Sequence, residues 1–159
     1  MDVQEKGKSL ASPEFKEKLG SLISYLVKHL GIKRLPTLKL VNSRGNAEKK
    51  WGLTGHYDHE KKQITVYITN RHDIDVLRSV SHEVVHHWQN ERGTLHPENR
   101  GIQMNNGNDT KPHYAQENEW LRKRELEAYI LGNILFRDHE DEQRYGPPSK
   151  EPLLPQPYD

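Results

Sequence analysis

Cysteine is absent from the 159 residues of this chain. Disulfide bonds are therefore excluded, and so is any metal site built from thiolate ligands. A metal ion in this protein has to be held by histidine nitrogens and carboxylate oxygens, and the chain contains 10 histidines to supply the former.

A strong net charge and long apolar runs are also missing. The formal charge is +1 at pH 7, which gives no general electrostatic reason to expect nucleic acid or a membrane as a partner. No apolar stretch approaches the ~20 residues that span a bilayer, and no apolar signal core follows the N-terminus. We therefore expect a soluble cytoplasmic protein.

Apolar residues are scarce, at 32% of the chain, while charged residues make up 30%. This composition supplies only a compact core, and the length favours one domain. We expect a flexible N-terminus at residues 1–11, a single domain at 12–144 and a proline-rich tail at 145–159.

The most informative segment is Ser-His-Glu-Val-Val-His-His-Trp at residues 81–88. Residues 73–92 contain no glycine or proline and are predicted to form a helix. In that helix, His82 and His86 lie one turn apart on the same face. Two imidazoles at this spacing can bind one zinc ion, with Glu83 beside them as a general base.

The apolar residues of this helix support a buried position for it. Leu77, Val80, Val84 and Trp88 recur at helical spacing and form one stripe, opposite the two histidines. The helix is therefore predicted to have one face toward the core and one toward a cleft. A surface helix with solvated histidines is the alternative.

The remaining segments predict an α+β fold. Ser12–Pro13 starts an amphipathic helix that Gly31 ends, and a third helix is expected at 114–138. We expect a small antiparallel sheet of about three strands packed on these helices. The predicted strands are residues 35–41, 51–57 and 63–69.

A catalytic zinc usually has three protein ligands and a water, so a third ligand has to be found. No third histidine follows at the short spacing of the metzincins. Glu125 and Glu127 of the last helix are the candidates. Helical projection slightly prefers Glu127, which lies closer to the apolar centre of that helix, where a buried carboxylate needs a cationic partner.

Taken together, these motifs resemble the compact gluzincin-type zinc metallopeptidases, especially small ones encoded by tailed phages. The resemblance covers most of residues 51–140. It rests on His-Glu-Val-Val-His at 82–86, Glu-Leu-Glu-Ala-Tyr at 125–129, the 55–58 turn, Tyr67, Arg71-His72, Leu77-Arg78-Ser79, Gly132-Asn133 and Phe136-Arg137.

The resemblance implies a peptide-hydrolysing enzyme with Zn²⁺ held by His82, His86 and Glu125. It also implies that Glu83 takes a proton from a zinc-activated water and passes it to the leaving amine. Many gluzincins carry Asp or Asn four residues after the ligand Glu, as a partner of a zinc histidine. Here that position is Tyr129, whose hydroxyl could serve the same role or face the substrate.

A developing oxyanion also needs a donor. His87 is the weakest candidate, because it points toward the apolar side of its helix. The candidates are Tyr129, His113, Tyr114 and His87.

Two other functions remain open at the level of sequence. A zinc-containing binding module without catalysis would need the same ligands but not Glu83. A nucleic-acid-associated metallopeptidase-like factor would need a basic surface, and the basic clusters are short. Those clusters are Lys49–Lys50, Lys61–Lys62 and Arg122–Arg124.

Substrate binding can be predicted only in outline. If strand 63–69 is an edge strand, a peptide or protein substrate could add to it beside the metal helix. The segment 93–113 is rich in Gly, Asn and Pro and is either a lid or an excursion without a role. His56 and His59 could be ligands, but a polar turn favours solvated side chains.

Overall fold

The computed structural model describes residues 1, 3–6, 12–47, 54–95 and 112–147. The expected strand start at 51–53, most of the 93–113 segment and most of the tail lie outside these residues. The elements in chain order are β1 (Val3–Lys6), α1 (Pro13–Leu30), β2 (Thr37–Val41), α2 (Arg44–Ala47), β3 (Gly55–Asp58), β4 (Gln63–Tyr67), α3 (Asp73–Glu91) and α4 (Pro112–Tyr145).

The protein is α+β, as expected, but the described residues form a mixed sheet of four strands in the order β1-β2-β4-β3. β2 runs parallel to both β1 and β4, whereas β3 and β4 pair antiparallel. The expected sheet of about three antiparallel strands is corrected accordingly. Alternation of apolar residues reveals which face of a strand is buried, whereas it does not determine which strands are neighbours.

The N-terminal segment is the second correction. Residues 1–11 were expected to be flexible, yet Val3–Lys6 form β1 and pair with β2, with Val3 opposite Leu38 and Lys6 opposite Val41. An edge strand is held by backbone hydrogen bonds and does not require a continuous apolar sequence. The polar sequence of this segment therefore gave no signal for strand β1.

The core lies between the sheet and the helices. Leu38 and Leu40 of β2 alternate with half-buried neighbours, and Ile64 and Val66 of β4 are completely buried. Burying one such aliphatic side chain stabilises the fold by roughly 1.5–3 kcal/mol. The helical stripes predicted from the sequence face this core, with Leu19, Leu22 and Leu26 from α1 and Leu77, Val80 and Val84 from α3.

Capping explains the ends of α1. The Ser12 hydroxyl accepts a hydrogen bond from the Phe15 N–H at 3.1 Å, and Pro13 occupies the first turn. Gly31 ends the helix in the left-handed conformation, at φ 67°. The sequence-based prediction of this helix is confirmed.

A guanidinium group joins the sheet to the start of α3. The N-cap of α3 is His72, whose side chain makes no capping hydrogen bond. Arg71 instead donates to the carbonyl oxygens of Tyr67 and Asp75, at 2.7 and 3.0 Å. Because Tyr67 ends β4, these bonds fix the direction in which α3 leaves the sheet.

α4 is longer than expected and continues to Tyr145. Its last turns pack on α1, where Lys18 and Glu140 form an ion pair at 2.9 Å and His139 is buried beside Ser21. Within the described residues, no helix combines the length and apolar character needed to span a membrane.

α3 and α4 approach each other closely beside His82. A Cβ atom added to Gly132 of α4 would lie 3.2 Å from both the backbone nitrogen and the Cα of His82. This distance is tighter than an ordinary van der Waals contact, so glycine lets α4 cross here without a shift of the His82 backbone. The crossing brings the face of α4 that carries Glu125 against the face of α3 that carries the histidine pair.

Candidate metal centre

Three side chains converge where α3 and α4 cross. The Nε2 atom of His82 lies 3.1 Å from one carboxylate oxygen of Glu125, and the Nε2 atom of His86 lies 3.0 Å from the other. One ligand atom from each of these residues lies within 4.8 Å of the others. Two imidazoles and one carboxylate form a donor set suited to zinc, since the metal accepts N and O ligands.

The charges of these groups are coupled. Hydrogen bonds from His82 and then His86 hold the pKa of Glu125 well below its usual range. For His86, burial lowers the pKa, but the hydrogen bonds to Glu125 and Gln89 outweigh burial, so the net shift is upward. The carboxylate is therefore charged near neutral pH and available as an anionic ligand.

Glu83 is almost completely buried, with 7% of its surface exposed, and reaches the same cleft. Burial raises the pKa of its carboxyl group, and the neighbouring His86 and His82 act in the opposite direction. A Cβ atom on Gly55 of β3 would lie 3.5 Å from a Glu83 carboxylate oxygen. Strand β3 therefore passes directly beside the candidate general base.

His82, His86 and Glu125 form the ligand group, and Glu127 does not belong to it. Its carboxylate accepts a hydrogen bond from the Gln89 amide nitrogen at 2.8 Å, while the Gln89 oxygen lies 2.8 Å from Nδ1 of His86. The helical projection slightly preferred Glu127 because it measured proximity to an apolar face, whereas in the structure Glu125 is the glutamate that meets the two histidines. Sequence reasoning gave Gln89 no role, although its position three residues after His86 was a usable signal.

His87 belongs to a separate network in the core. Its Nε2 lies 2.6 Å from the Arg34 carbonyl oxygen, and its Nδ1 lies 2.7 Å from the Tyr57 hydroxyl. A carbonyl oxygen can only accept, so Nε2 carries the hydrogen and Tyr57 donates to Nδ1. Asn90 in turn donates to the Tyr57 oxygen at 3.0 Å.

This network excludes His87 from any role as an oxyanion donor, as its predicted direction suggested. Burial raises the pKa of Tyr57 to about 12. The tyrosine is therefore a neutral hydrogen-bond donor that fastens β3 to α3.

His82, His86 and Glu125 line an open cleft with a volume of about 1380 Å³. Tyr129 lines this cleft and is 64% exposed. His56 and His59 also line it, but among the described residues neither belongs to the ligand group. The side chains of His113 and Tyr114, two further candidate donors, lie outside the part of the chain that the structure describes.

Strand 63–69, considered above as a possible edge strand, corresponds to β4 and is not at the edge of the sheet. β4 lies between β2 and β3, and β3 is the last strand on the side of the candidate metal centre.

In a comparison with known proteins, the chain matches no protein-family model, no curated protein and no solved structure.

Proposed function

We propose that this protein is a zinc-dependent metallopeptidase. The observation that carries the proposal is the convergence of His82 and His86 from α3 with Glu125 from α4, in a cleft that is also lined by the buried Glu83. Residues separated by about forty positions meet in this way, which a chance His-Glu-x-x-His sequence does not require.

The donor set fits a catalytic zinc ion. His82, His86 and Glu125 would hold it, and three protein ligands leave a position for water or substrate. When bound, zinc acts as a Lewis acid toward a carbonyl group and lowers the pKa of water to ~7. The remaining steps belong to the side chains and backbone of the cleft.

Glu83 is the proposed general base. Its burial favours the uncharged carboxylic acid, so the residue accepts a proton more readily than an exposed glutamate does. It takes a proton from the attacking water and passes it to the nitrogen of the breaking peptide bond. The amine can then leave as a neutral group.

Strand β3 offers the substrate a backbone to bind. Thr54 accepts a hydrogen bond from the Tyr67 N–H at 3.1 Å, and alternation along an antiparallel pair then turns the N–H and C=O groups of Gly55 and Tyr57 away from β4. An extended peptide can pair with these groups. Its carbonyl groups would run beside Glu83, because Gly55 does so.

The decisive experiment compares wild type with Glu83→Gln. Zinc content is measured by elemental mass spectrometry, and hydrolysis by mass spectrometry of casein digests and of a peptide library. We expect one zinc per chain in both proteins and a loss of hydrolysis of about 10²–10⁴-fold in the variant. Glu60→Gln, in the exposed turn between β3 and β4, is the matched control and should behave as wild type.

Hydrolysis that survives Glu83→Gln unchanged would overturn the general-base role. Wild-type protein that holds zinc but cleaves none of these substrates would favour the zinc-containing binding module. Absence of zinc uptake by wild type would remove the metallopeptidase proposal altogether.

A further inference from the structure

We propose that Gln89 is a positioning residue for the metal centre: it keeps a hydrogen on Nδ1 of His86, so that Nε2 is the ring nitrogen that can bind the metal. This inference rests on the proposed function, because it assumes that His86 binds zinc. Its physical basis is a hydrogen-bond chain that runs from His86 through Gln89 to two groups of α4.

The orientation of the Gln89 amide is determined by its neighbours. Its nitrogen lies 2.8 Å from a carboxylate oxygen of Glu127 and 3.0 Å from the Arg124 carbonyl oxygen. Both groups are acceptors near neutral pH, so the flipped amide would place oxygen against oxygen twice. The amide oxygen of Gln89 must therefore be the atom that lies 2.8 Å from Nδ1 of His86.

An acceptor at this place fixes the proton on the imidazole. Nδ1 of His86 has to donate to the Gln89 oxygen and so keeps its hydrogen. Gln89 is completely buried and His86 is 6% exposed, so water has little access to replace the amide. A ring that keeps hydrogen on Nδ1 can bind a metal only through Nε2, the nitrogen that lies 3.0 Å from Glu125.

The same amide also sets the position of the third ligand. Arg124 and Glu127 flank Glu125 on α4, and both accept from the Gln89 nitrogen. One side chain of α3 therefore fixes the tautomer of one ligand and the register of the helix that supplies another. Tyr129 of α4 is 64% exposed, whereas the buried Gln89 of α3 lies 2.8 Å from Nδ1 of His86.

The first test uses Gln89→Met, which keeps the shape of the side chain and removes its acceptor and donors. Zinc affinity is measured at pH 7 by competition with a chromophoric chelator. We expect the zinc Kd to rise 10- to 100-fold, the range for loss of a partner of a metal histidine. Asn90→Ala, which breaks a hydrogen bond of the neighbouring Tyr57 network, is the control and should leave the zinc Kd unchanged.

The second readout is the tautomer itself, observed in zinc-free protein through the ¹⁵N shifts of the His86 ring. Wild type should show hydrogen on Nδ1. In Gln89→Met, Nδ1 should lose its hydrogen, because the Glu125 carboxylate beside Nε2 is then the acceptor that remains for the ring. This measurement requires neither zinc binding nor hydrolysis. It therefore tests the positioning role even if the protein proves not to be a peptidase.

A third variant guards against simple misfolding. Gln89→Glu keeps an acceptor for His86 but faces Glu127, so zinc binding should weaken. Adding Glu127→Gln supplies an amide that can donate to the new carboxylate, and the double variant should recover part of the lost affinity, since the Arg124 carbonyl oxygen still faces that carboxylate. Unchanged zinc affinity and an unchanged His86 tautomer in Gln89→Met, or no recovery in the double variant, would overturn the proposal.

Discussion

At the scale of single residues, a position without a side chain lies beside Glu83, the proposed general base. Gly55 lies on β3 beside Glu83, and a Cβ atom there would also approach the Thr65 carbonyl oxygen to 3.0 Å. That oxygen belongs to the backbone of the neighbouring strand and cannot move without shifting β4. Space next to Glu83 is therefore available only because this position carries no side chain.

We expect Gly55→Ala to displace β3 and lower the rate of hydrolysis roughly tenfold or more, since small displacements at a reacting centre are costly. Zinc affinity should stay at the wild-type value, because none of the three ligands lies on this strand. Parallel measurement of kcat/KM and of zinc Kd tests this separation. A variant that loses zinc and hydrolysis together would contradict it.

The identity of the third ligand gives a second prediction at this scale. With zinc in excess, Glu125→Ala should purify without bound metal, whereas Glu127→Ala should retain one zinc, bound about tenfold more weakly. Elemental mass spectrometry and chelator competition measure the two quantities. The opposite order would return the third ligand to Glu127 and place Glu125 outside the site.

These residues differ in how far the sequence could predict them. His82, Glu83 and His86 follow from a spacing that one helical turn enforces. Glu125 came from the family resemblance, because the apolar stripe of α4 is too poorly defined for a projection. Gln89 joins His86 to α4, and such contacts depend on how two helices dock, which local periodicity does not contain.

At the scale of elements, the crossing of α3 and α4 brings Glu125 next to the two histidines. Gly132→Ala would place a methyl group 3.2 Å from the His82 backbone and push the helices apart. We expect a loss of about 1–3 kcal/mol in the free energy of unfolding, as for other overpacked contacts. The zinc Kd should rise as well, because the displacement separates Glu125 from the histidines.

Gly20 of α1 provides the matched control, since it is helical and a Cβ atom there would meet nothing within 4 Å. Gly20→Ala should stabilise the protein by about 0.5–1 kcal/mol through its helix propensity alone. Chemical denaturation of the two variants in chelator measures both effects. Equal stability of the two variants would show that the crossing tolerates a side chain.

The elements themselves were predictable to different extents. α1 has a cap, a stripe and a stop within its own sequence, so its bounds were predicted closely. The parallel pairing of β2 with β4 was missed because those strands are separated by α2 and β3. Pairing of this kind depends on long-range packing, and the local sequence of neither strand encodes it.

At the scale of the whole molecule, a buried histidine makes stability depend on pH. His139 joins α4 to α1, where its Nε2 lies 2.9 Å from the Ser21 hydroxyl and its ring lies 5.3 Å from that of Tyr25. Burial lowers the pKa of His139, Lys18 lowers it further, and Glu140 and Glu142 oppose both effects.

Because the folded state binds this proton less readily than the unfolded chain, whose histidine pKa is about 6.5, the contribution of His139 is complete above that pH and is lost as the pH falls. We expect Tm to fall less between pH 7.5 and 5.5 in His139→Phe than in wild type. Thermal unfolding at the two pH values, in the presence of a chelator, measures this change in Tm. His72→Gln is the control, because His72 is exposed. Identical pH slopes in all three proteins would contradict this role.

The order of strands in the sheet has a consequence for synthesis on the ribosome. β1, α1 and β2 leave the exit tunnel first, but β2 lacks one of its two neighbours until β4 has followed. The hairpin of β3 and β4 closes over residues 59–62 and can form as soon as it emerges. The two histidines are then translated well ahead of Glu125. His82, His86 and Glu125 can therefore meet only after α4 has emerged and docked on α3.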